Sequence, residues 1–189
     1  MSLGCVPVRV VSSRVVYENR WMRVREDDTL LPDGSPGLYA VVEKPPAAVI
    51  VPFDDSDRAL WLVEQWRHPV GARFWELPQG AWEDSPGASA EELARGELAE
   101  ETGLRAGRIE RLGRLYFAYG ITDQPFDVWA ARDLQAGEQA LEATEQGLIA
   151  ARFEVDEVRA MVRDGRIADS ATVAALALAI GAFGAPSAP

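Results

Sequence analysis

The sequence predicts a single domain of the α+β or α/β class, with helices and β-sheet packed as a sandwich. Segments rich in β-branched residues, often with alternating polarity, recur before residue 80 and again after residue 108, which is typical of strands. Between them lies one strongly helical stretch, and no repeat or linker separates a second domain. At 189 residues and 48% apolar composition, the chain is long enough to bury one substantial core.

The first half of the chain predicts a series of strands and then a helix. Two β-rich segments within residues 6–31 lead into the turn LPDGSPG, which predicts a hairpin or a short meander. Further strands are predicted from LYAVVEK, AAVIVPF, ALWLVEQW and RFWELP. The helix begins at Ser89, because Ser89 and Glu92 form a capping box, and Gly103 ends it.

The second half predicts strands in RIERLGRLYFAY and FDVWAARDL, and a short strand in LIAARFEV that leads into a helix at 155–164. Asp169 or Ser170 can cap the last helix. Its apolar run from Ala171 to Phe183 is shorter than the ~20 residues of a membrane span, so we predict a buried helix. No signal peptide opens the chain, and no membrane partner is expected.

Composition narrows the chemistry. The net charge of -11 argues against nucleic acid as a partner, because phosphate backbones are bound by clustered Lys and Arg. Cys5 is the only cysteine, which excludes an internal disulfide and a Cys-rich zinc site and fits a reducing, cytoplasmic setting. His68 is the only histidine, so chemistry based on oxygen ligands is favoured.

Three glutamates share one face of the predicted helix. Glu97 and Glu101 are one turn apart and Glu100 lies beside them, although like charges at this spacing repel. Solvated charges on a surface helix are one interpretation. The other is a divalent cation such as Mg²⁺, which takes oxygen ligands from one or two carboxylates together with substrate phosphates.

The stretch GELAEETGL at 96–104, preceded by ELPQG at 76–80, resembles the signature motif of the Nudix hydrolase family. GLYAVVEKPPAAVIVPF, WLVEQWRHPV and DGRIADSATVAALALA extend the resemblance to the ADP-ribose pyrophosphatase branch. The resemblance implies a Nudix-type α/β/α sandwich with a mixed sheet. It also implies residues 1–45 as an N-terminal β-extension that forms a homodimer, a Nudix domain at 46–184 and a disordered tail at 185–189.

The resemblance also implies roles for individual residues. The metal, Mg²⁺ or Mn²⁺, would be held by carboxylates and one backbone carbonyl: Glu97, Glu100, Glu101 and the carbonyl of Gln79. Glu100 is in addition a candidate catalytic carboxylate, and the general base would be Glu145 or Glu142 in LEATEQGL. Substrate contacts are expected from Arg67 to the phosphates, from Trp21 or Tyr17 by stacking on the adenine, and from Tyr119 by stacking on a base or sugar. For Arg67, a surface role on its strand remains open, and Tyr119 could instead belong to the core or the rim.

The motif departs from the family at several positions. Gly96 stands where an arginine is expected and Ala88 where a loop glutamate is expected, and the loop before the helix is about two residues longer. Arg95 points about 100° away from position 96, which leaves Arg67, Arg73 and Arg105 as candidate cations near the carboxylates. Tyr119 occupies the place of a proline that follows the motif in the ADP-ribose branch.

These observations predict a metal-dependent hydrolase of a nucleoside diphosphate derivative, with ADP-ribose or a nucleotide sugar as the expected substrate. The products would be a nucleoside monophosphate and a sugar phosphate. The alternatives are a Nudix-fold module that binds a nucleotide without cleaving it, and a hydrolase of dinucleoside polyphosphates.

Overall fold

The structure is a computed structural model that describes residues 8–54, 58–81, 87–141 and 145–180. The chain divides into two compact units: the first comprises Met1–Pro46 with Tyr116–Pro125, and the second comprises Ala47–Leu115 with Phe126–Pro189. The tail predicted at 185–189 lies outside the described residues, as does Glu142.

The first unit is built on an antiparallel meander of three strands. These are β1 (Arg9–Glu18), β2 (Arg23–Leu30) and β3 (Pro36–Glu43), in the order β1-β2-β3. The predicted Pro-Asp-Gly turn connects β2 to β3, with Gly34 at φ 85°, a conformation that glycine adopts without strain. The N-terminal β-segments therefore form the meander that the sequence predicts.

Within the described residues, the second unit contains two sheets and three α-helices. One sheet has the order β7-β4-β9-β8, from β7 (Gln79–Gly80), β4 (Ala47–Pro52), β9 (Pro125–Ala136) and β8 (Leu104–Tyr116). This sheet is mixed, because β4 runs parallel to β9 and antiparallel to β7. The other is antiparallel, with the order β10-β5-β6, from β10 (Ile149–Glu154), β5 (Ala59–Arg67) and β6 (Ala72–Glu76).

The helices are α1 (Ala90–Thr102), α2 (Val155–Asp164) and α3 (Ser170–Ile180). Strand β4 is buried along its whole length, which explains its continuous apolar sequence, and both α1 and α3 contact it. The α1 face packs on the sheet through a cluster of apolar side chains: Ala48, Ile50, Leu93, Ala94, Leu98, Leu104, Trp129 and Ala131. The predicted mixture of helices and sheets is confirmed, and the two-residue strand β7 is an addition to it.

The ends of α1 are those that the sequence predicts. The Ser89 hydroxyl accepts a hydrogen bond from Glu92 N at 3.2 Å, and the Glu92 carboxylate accepts one from Ser89 N at 2.8 Å. Gly103 caps the C-terminus at φ 71°. Both ends are held by local contacts, which fixes the turn of α1 that carries the glutamates.

Within the described residues, no helix combines the length and the apolar character that crossing a bilayer would require.

Candidate active site

Helix α1 brings two carboxylates into the interior of the second unit. Glu97 is 5% exposed and Glu101 is 1% exposed, one helical turn apart on the side that faces the protein. Burial raises the pKa of the Glu101 carboxyl well above its ordinary value, and the negative charges of Glu97 and Glu145 raise it further. Two carboxylates placed together with so little solvent are unfavourable unless a cation compensates them.

The residues of strand β7 lie against this pair of glutamates. The backbone N–H of Gln79 donates a hydrogen bond to Glu101 Oε2 at 3.0 Å. At Gly80 a side-chain Cβ would lie 2.6 Å from the carboxyl carbon of Glu97, so only glycine fits while that carboxylate keeps its position. The short strand β7 therefore places Gln79 and Gly80 directly against the two glutamates.

The second carboxylate oxygen of Glu101, Oε1, bears on whether a cation fits this site. Glu101 Oε1 is buried and has no hydrogen-bond partner among the described residues. Over the same residues, no group of three or more His, Cys, Asp or Glu side chains is arranged to hold a metal ion by itself. Mg²⁺ needs no such cage, since one or two carboxylates, water and substrate phosphates complete its coordination. The buried pair with one oxygen left without a partner therefore fits a hard divalent cation.

Strand β5 and strand β6 add an arginine to the same region. Arg67 donates to Glu76 through Nε at 3.1 Å and Nη2 at 2.5 Å, and Gln65 Nε2 donates to Glu76 Oε1 at 2.6 Å. Burial opposes the charge of Arg67, but Glu76, Glu101 and Asp169 together raise its pKa. The two bonds to Glu76 use Nε and Nη2, and 40% of the Arg67 side chain is exposed.

Glu76 is the anchor of that arginine. It is 1% exposed, and burial raises the pKa of its carboxyl although Arg67 acts in the opposite direction. The bidentate contact fixes the plane of the guanidinium, which suits recognition of a phosphate by the remaining nitrogen. Sequence reasoning missed this partnership, because it depends on the register between β5 and β6, which the sequence analysis did not predict.

The start of α3 contacts the same segment. Asp169 Oδ2 accepts hydrogen bonds from Thr172 N at 2.8 Å and from Gln79 Nε2 at 3.0 Å. The side chain of Thr172 is fully buried, and its Oγ1 accepts a hydrogen bond from Leu77 N at 3.0 Å. Asp169 is thus the predicted helix cap and also holds the side chain of Gln79, a contact between residues 90 positions apart that no local pattern reveals.

Glu145, the favoured candidate base, is among the described residues. It begins a tight turn that is closed by a hydrogen bond from Leu148 N to Glu145 O at 2.9 Å. Its charge is one of those that raise the pKa of Glu101. Glu142, the alternative base, is outside the described residues.

Glu100, predicted as a third carboxylate, is half-buried, in contrast to the two buried glutamates. Gly96 is part of α1, and the neighbouring Arg95 is committed elsewhere: it donates to Glu91 at 2.9 Å and to the carbonyl of Ala106 at 2.7 Å. Arg95 therefore does not replace the missing arginine, as its direction on the helix predicts. Of the cations proposed from the sequence, Arg67 has a pKa that the charge of Glu101 helps to raise.

Two predicted substrate residues belong to the first unit. Trp21 lies in the turn between β1 and β2, is 50% exposed, and has the guanidinium of Arg20 5.2 Å from its ring centre. Tyr119 lies in the turn that follows β8 and is 85% exposed. Their contact with substrate remains a prediction.

Comparison with known families identifies the chain. A family profile described as "NUDIX domain" matches residues 43–175, which is more than half of the sequence. The protein is a Nudix hydrolase. A second profile, "Nucleoside diphosphate sugar hydrolase N-terminal domain", matches residues 8–42, a region that includes the β1-β2-β3 meander up to Val42.

Relatives of this Nudix hydrolase are named for different activities. An ADP-ribose pyrophosphatase of Mycobacterium tuberculosis is 31% identical over 87% of this chain and 79% of its own. A CMP-5'-(N-acetyl-N-hydroxy-3-aminopropyl)phosphonate hydrolase of Streptomyces rubellomurinus is 31% identical over 93% of this chain and 84% of its own. The crystal structure of an ADP compounds hydrolase superposes with a TM-score of 0.81 at 23% identity, covering 94% of each chain, which supports the fold.

Proposed function

We propose that this Nudix hydrolase cleaves the pyrophosphate of a nucleoside diphosphate derivative in a reaction that requires Mg²⁺ or Mn²⁺, with ADP-ribose or a nucleotide sugar as substrate. The observation that carries the proposal is the buried pair Glu97 and Glu101, with Glu101 Oε1 left without a partner among the described residues, beside Gln79 and Gly80. The ADP-ribose pyrophosphatase among its relatives supports this choice of substrate.

The residues divide the work as follows. Glu97, Glu101, Glu100 and the carbonyl of Gln79 would hold the metal, which when bound neutralises phosphate oxygens and lowers the pKa of a water molecule. Arg67, fixed by Glu76, orients the phosphates through the edge of its guanidinium that faces away from Glu76. Glu145 accepts a proton from the attacking water. Trp21 or Tyr119 provides an aromatic surface for the base or sugar.

Hydrolysis of ADP-ribose by the purified protein, with release of AMP followed in excess Mg²⁺ or Mn²⁺, tests the function. EDTA should abolish release, and Glu101→Gln prepared in parallel controls for contaminating enzymes. ADP-glucose, a CDP-linked compound and a dinucleoside polyphosphate complete the panel, because the relatives include one that acts on a CMP conjugate. Absence of turnover with the whole panel would contradict the proposal.

A binding module without turnover is the second candidate. It is favoured by Gly96, which leaves α1 without the arginine of the family motif while Arg95 is engaged by Glu91. In that case calorimetry would show tight binding of ADP-ribose, and no AMP would form over hours.

Single replacements of Glu145 and Glu142 distinguish which of the two carboxylates is the general base. We expect Glu145→Gln to lower kcat by roughly a hundredfold or more, the usual contribution of a positioned base, with little change in KM. Glu142→Gln should lower kcat much less. Steady-state kinetics of both variants at saturating Mg²⁺ make the comparison, and the reverse order would transfer the role to Glu142.

We further propose that the first unit forms a homodimer through β1. Among the described strands, β1 lies at the edge of its sheet and pairs only with β2, and all ten of its residues are exposed. Its apolar side chains are about half exposed or more: Val10, Val11, Val15, Val16 and Tyr17. An apolar edge strand of this length invites pairing with another strand, and a second copy of the chain offers an identical, self-complementary surface.

The dimer is tested by one charge on that strand. Val15→Glu should shift the mass measured by light scattering from twice that of the chain toward 20.6 kDa. Leu178→Glu is the matched control, because Leu178 is similarly exposed but lies on α3. A monomeric unmodified protein, or equal loss of mass in both variants, would contradict the assignment of β1.

A further inference from the structure

Arg73 links all parts of the three-stranded sheet β10-β5-β6 at one end. It lies on β6 and pairs in register with Trp66 of β5. Its Nε donates to Glu64 Oε2 at 2.9 Å, and its Nη2 donates to Glu64 O at 3.0 Å. The same Nη2 donates to the carbonyl of Gly147 at 2.8 Å, just before β10 begins. One side chain on the strand at one edge thus reaches the turn that enters the strand at the other.

That turn presents Glu145. Gly147 has φ 85°, a conformation that side chains rarely adopt, and Leu148 donates to the Glu145 carbonyl and buries its own side chain. The four residues 145–148 therefore have one well-defined shape, but the shape alone does not fix their position against the sheet. The attachments of this turn are the buried side chain of Leu148, the pairing of Ile149 with Glu64 of β5, and the bond from Arg73 to Gly147 O.

The structure assigns Arg73 as the positioning residue for Glu145, acting through the backbone of Gly147 and not by contact with substrate. This inference rests on the proposed function, in which Glu145 is the general base. A shift of about 1 Å in a reacting group can lower the rate by about a hundredfold, so an anchor two residues from the base affects the reaction directly.

An ordinary surface ion pair would show a different geometry. The pair of Arg73 with Glu64 is partly exposed and by itself contributes little. Two of the three hydrogen bonds of Arg73, however, go to backbone carbonyls, one of them 74 residues further along the chain. Lysine would keep the positive charge but not the planar fork that serves Glu64 and Gly147 together.

A double-mutant cycle with Glu145 provides the test. We expect Arg73→Ala to lower kcat by about tenfold to a hundredfold with KM nearly unchanged, the signature of a misplaced reacting group. In the Glu145→Gln background, Arg73→Ala should have no further effect on kcat, since the group that it positions is already lost. The kcat of Arg73→Lys should be close to that of Arg73→Ala.

Arg152→Ala is the matched control. Arg152 lies in the same sheet, is 42% exposed and binds Asp54 and Glu154, so its removal changes net charge equally. Its kcat should be that of the unmodified protein. Amide exchange of Leu148 should accelerate in Arg73→Ala and not in Arg152→Ala, because the former alone releases the turn.

The outcomes separate this inference from the proposed function. Two results are relevant when the unmodified enzyme is active. In one, Arg73→Ala leaves kcat unchanged. In the other, Arg73→Ala lowers kcat by the same factor with and without the Glu145→Gln substitution. Either result would overturn the role of Arg73 and leave the function standing. An unmodified protein that hydrolyses none of the substrates would overturn the function itself, and the role of Arg73 with it.

Discussion

Glu97→Gln and Glu101→Gln are each expected to lower metal-dependent turnover by about a thousandfold or more. The loss corresponds to about 4 kcal/mol at roughly 1.4 kcal/mol per tenfold, the scale of charge stabilisation that a bound metal provides. Both side chains are buried beside Gln79 and Gly80, and glutamine keeps their size while removing the charge. The measurement is kcat/KM at several Mg²⁺ concentrations.

Glu91→Gln is the control for these variants. Glu91 lies on the same helix, is 51% exposed and pairs with Arg95, so its replacement changes the charge without touching the buried pair. Its turnover should remain within a factor of about two, as expected for a surface position. Full activity of Glu101→Gln, or equal losses in all three variants, would contradict the assignment of the metal site.

Local patterns account for the elements that the sequence predicted well. The capping box at Ser89 and the glycine at 103 are contacts within one turn of helix, so the sequence contains all of their participants. Strand β4 was predicted from its β-branched content, and the structure shows in addition that all six of its residues are buried. The helical repeat predicted that Glu97, Glu100 and Glu101 share one face of α1. It did not decide between surface charges and a buried site, and only the structure shows that Glu97 and Glu101 are buried.

Contacts between distant segments were not predictable in the same way. The Glu76 anchor of Arg67 depends on the register between β5 and β6, and the bond from Gln79 to Asp169 joins a short strand to the cap of the last helix. Gly80 carried a readable signal, because a glycine next to a proposed metal ligand often marks a close approach. The neighbour that approaches it, Glu97, could be named only from the structure.

Position 96 is a departure from the family motif for which we propose compensation by another cation. The helix has no arginine there, and Arg95 serves Glu91 and a backbone carbonyl instead. Arg67 lies on strand β5 and not on α1, yet the charge of Glu101 helps to raise its pKa. Because electrostatic compensation depends on distance in space and not on position in the motif, a cation on β5 can take over part of the role of one on α1.

The stability of the metal-free protein should fall as pH rises, and Glu101 should be responsible for part of the fall. Burial and the charge of Glu97 raise the pKa of Glu101 in the folded state above the ordinary value of 4.5. The folded state therefore holds a proton that the unfolded state releases. The stabilisation is complete below the unfolded pKa and is lost as pH rises through the folded pKa.

Glu101→Gln removes this dependence, so the difference in melting temperature between variant and unmodified protein isolates it from all other titrating groups. The variant should melt higher than the unmodified protein at pH 8 without metal, and the advantage should shrink toward pH 4. A change of about 1 kcal/mol moves Tm by about 2–4 °C for a chain of this length, which calorimetry resolves.

At pH 8, a divalent cation should reverse the order of the melting temperatures, so that the unmodified protein melts higher than Glu101→Gln. Metal binds the ionised carboxylate, so added Mg²⁺ or Mn²⁺ should stabilise the unmodified protein more at pH 8 than at pH 6 and leave Glu101→Gln unchanged. EDTA should restore the original order. A metal-free difference that is independent of pH would mean that the Glu101 carboxyl is not perturbed by its burial. Equal stabilisation of both proteins by metal would place the cation elsewhere.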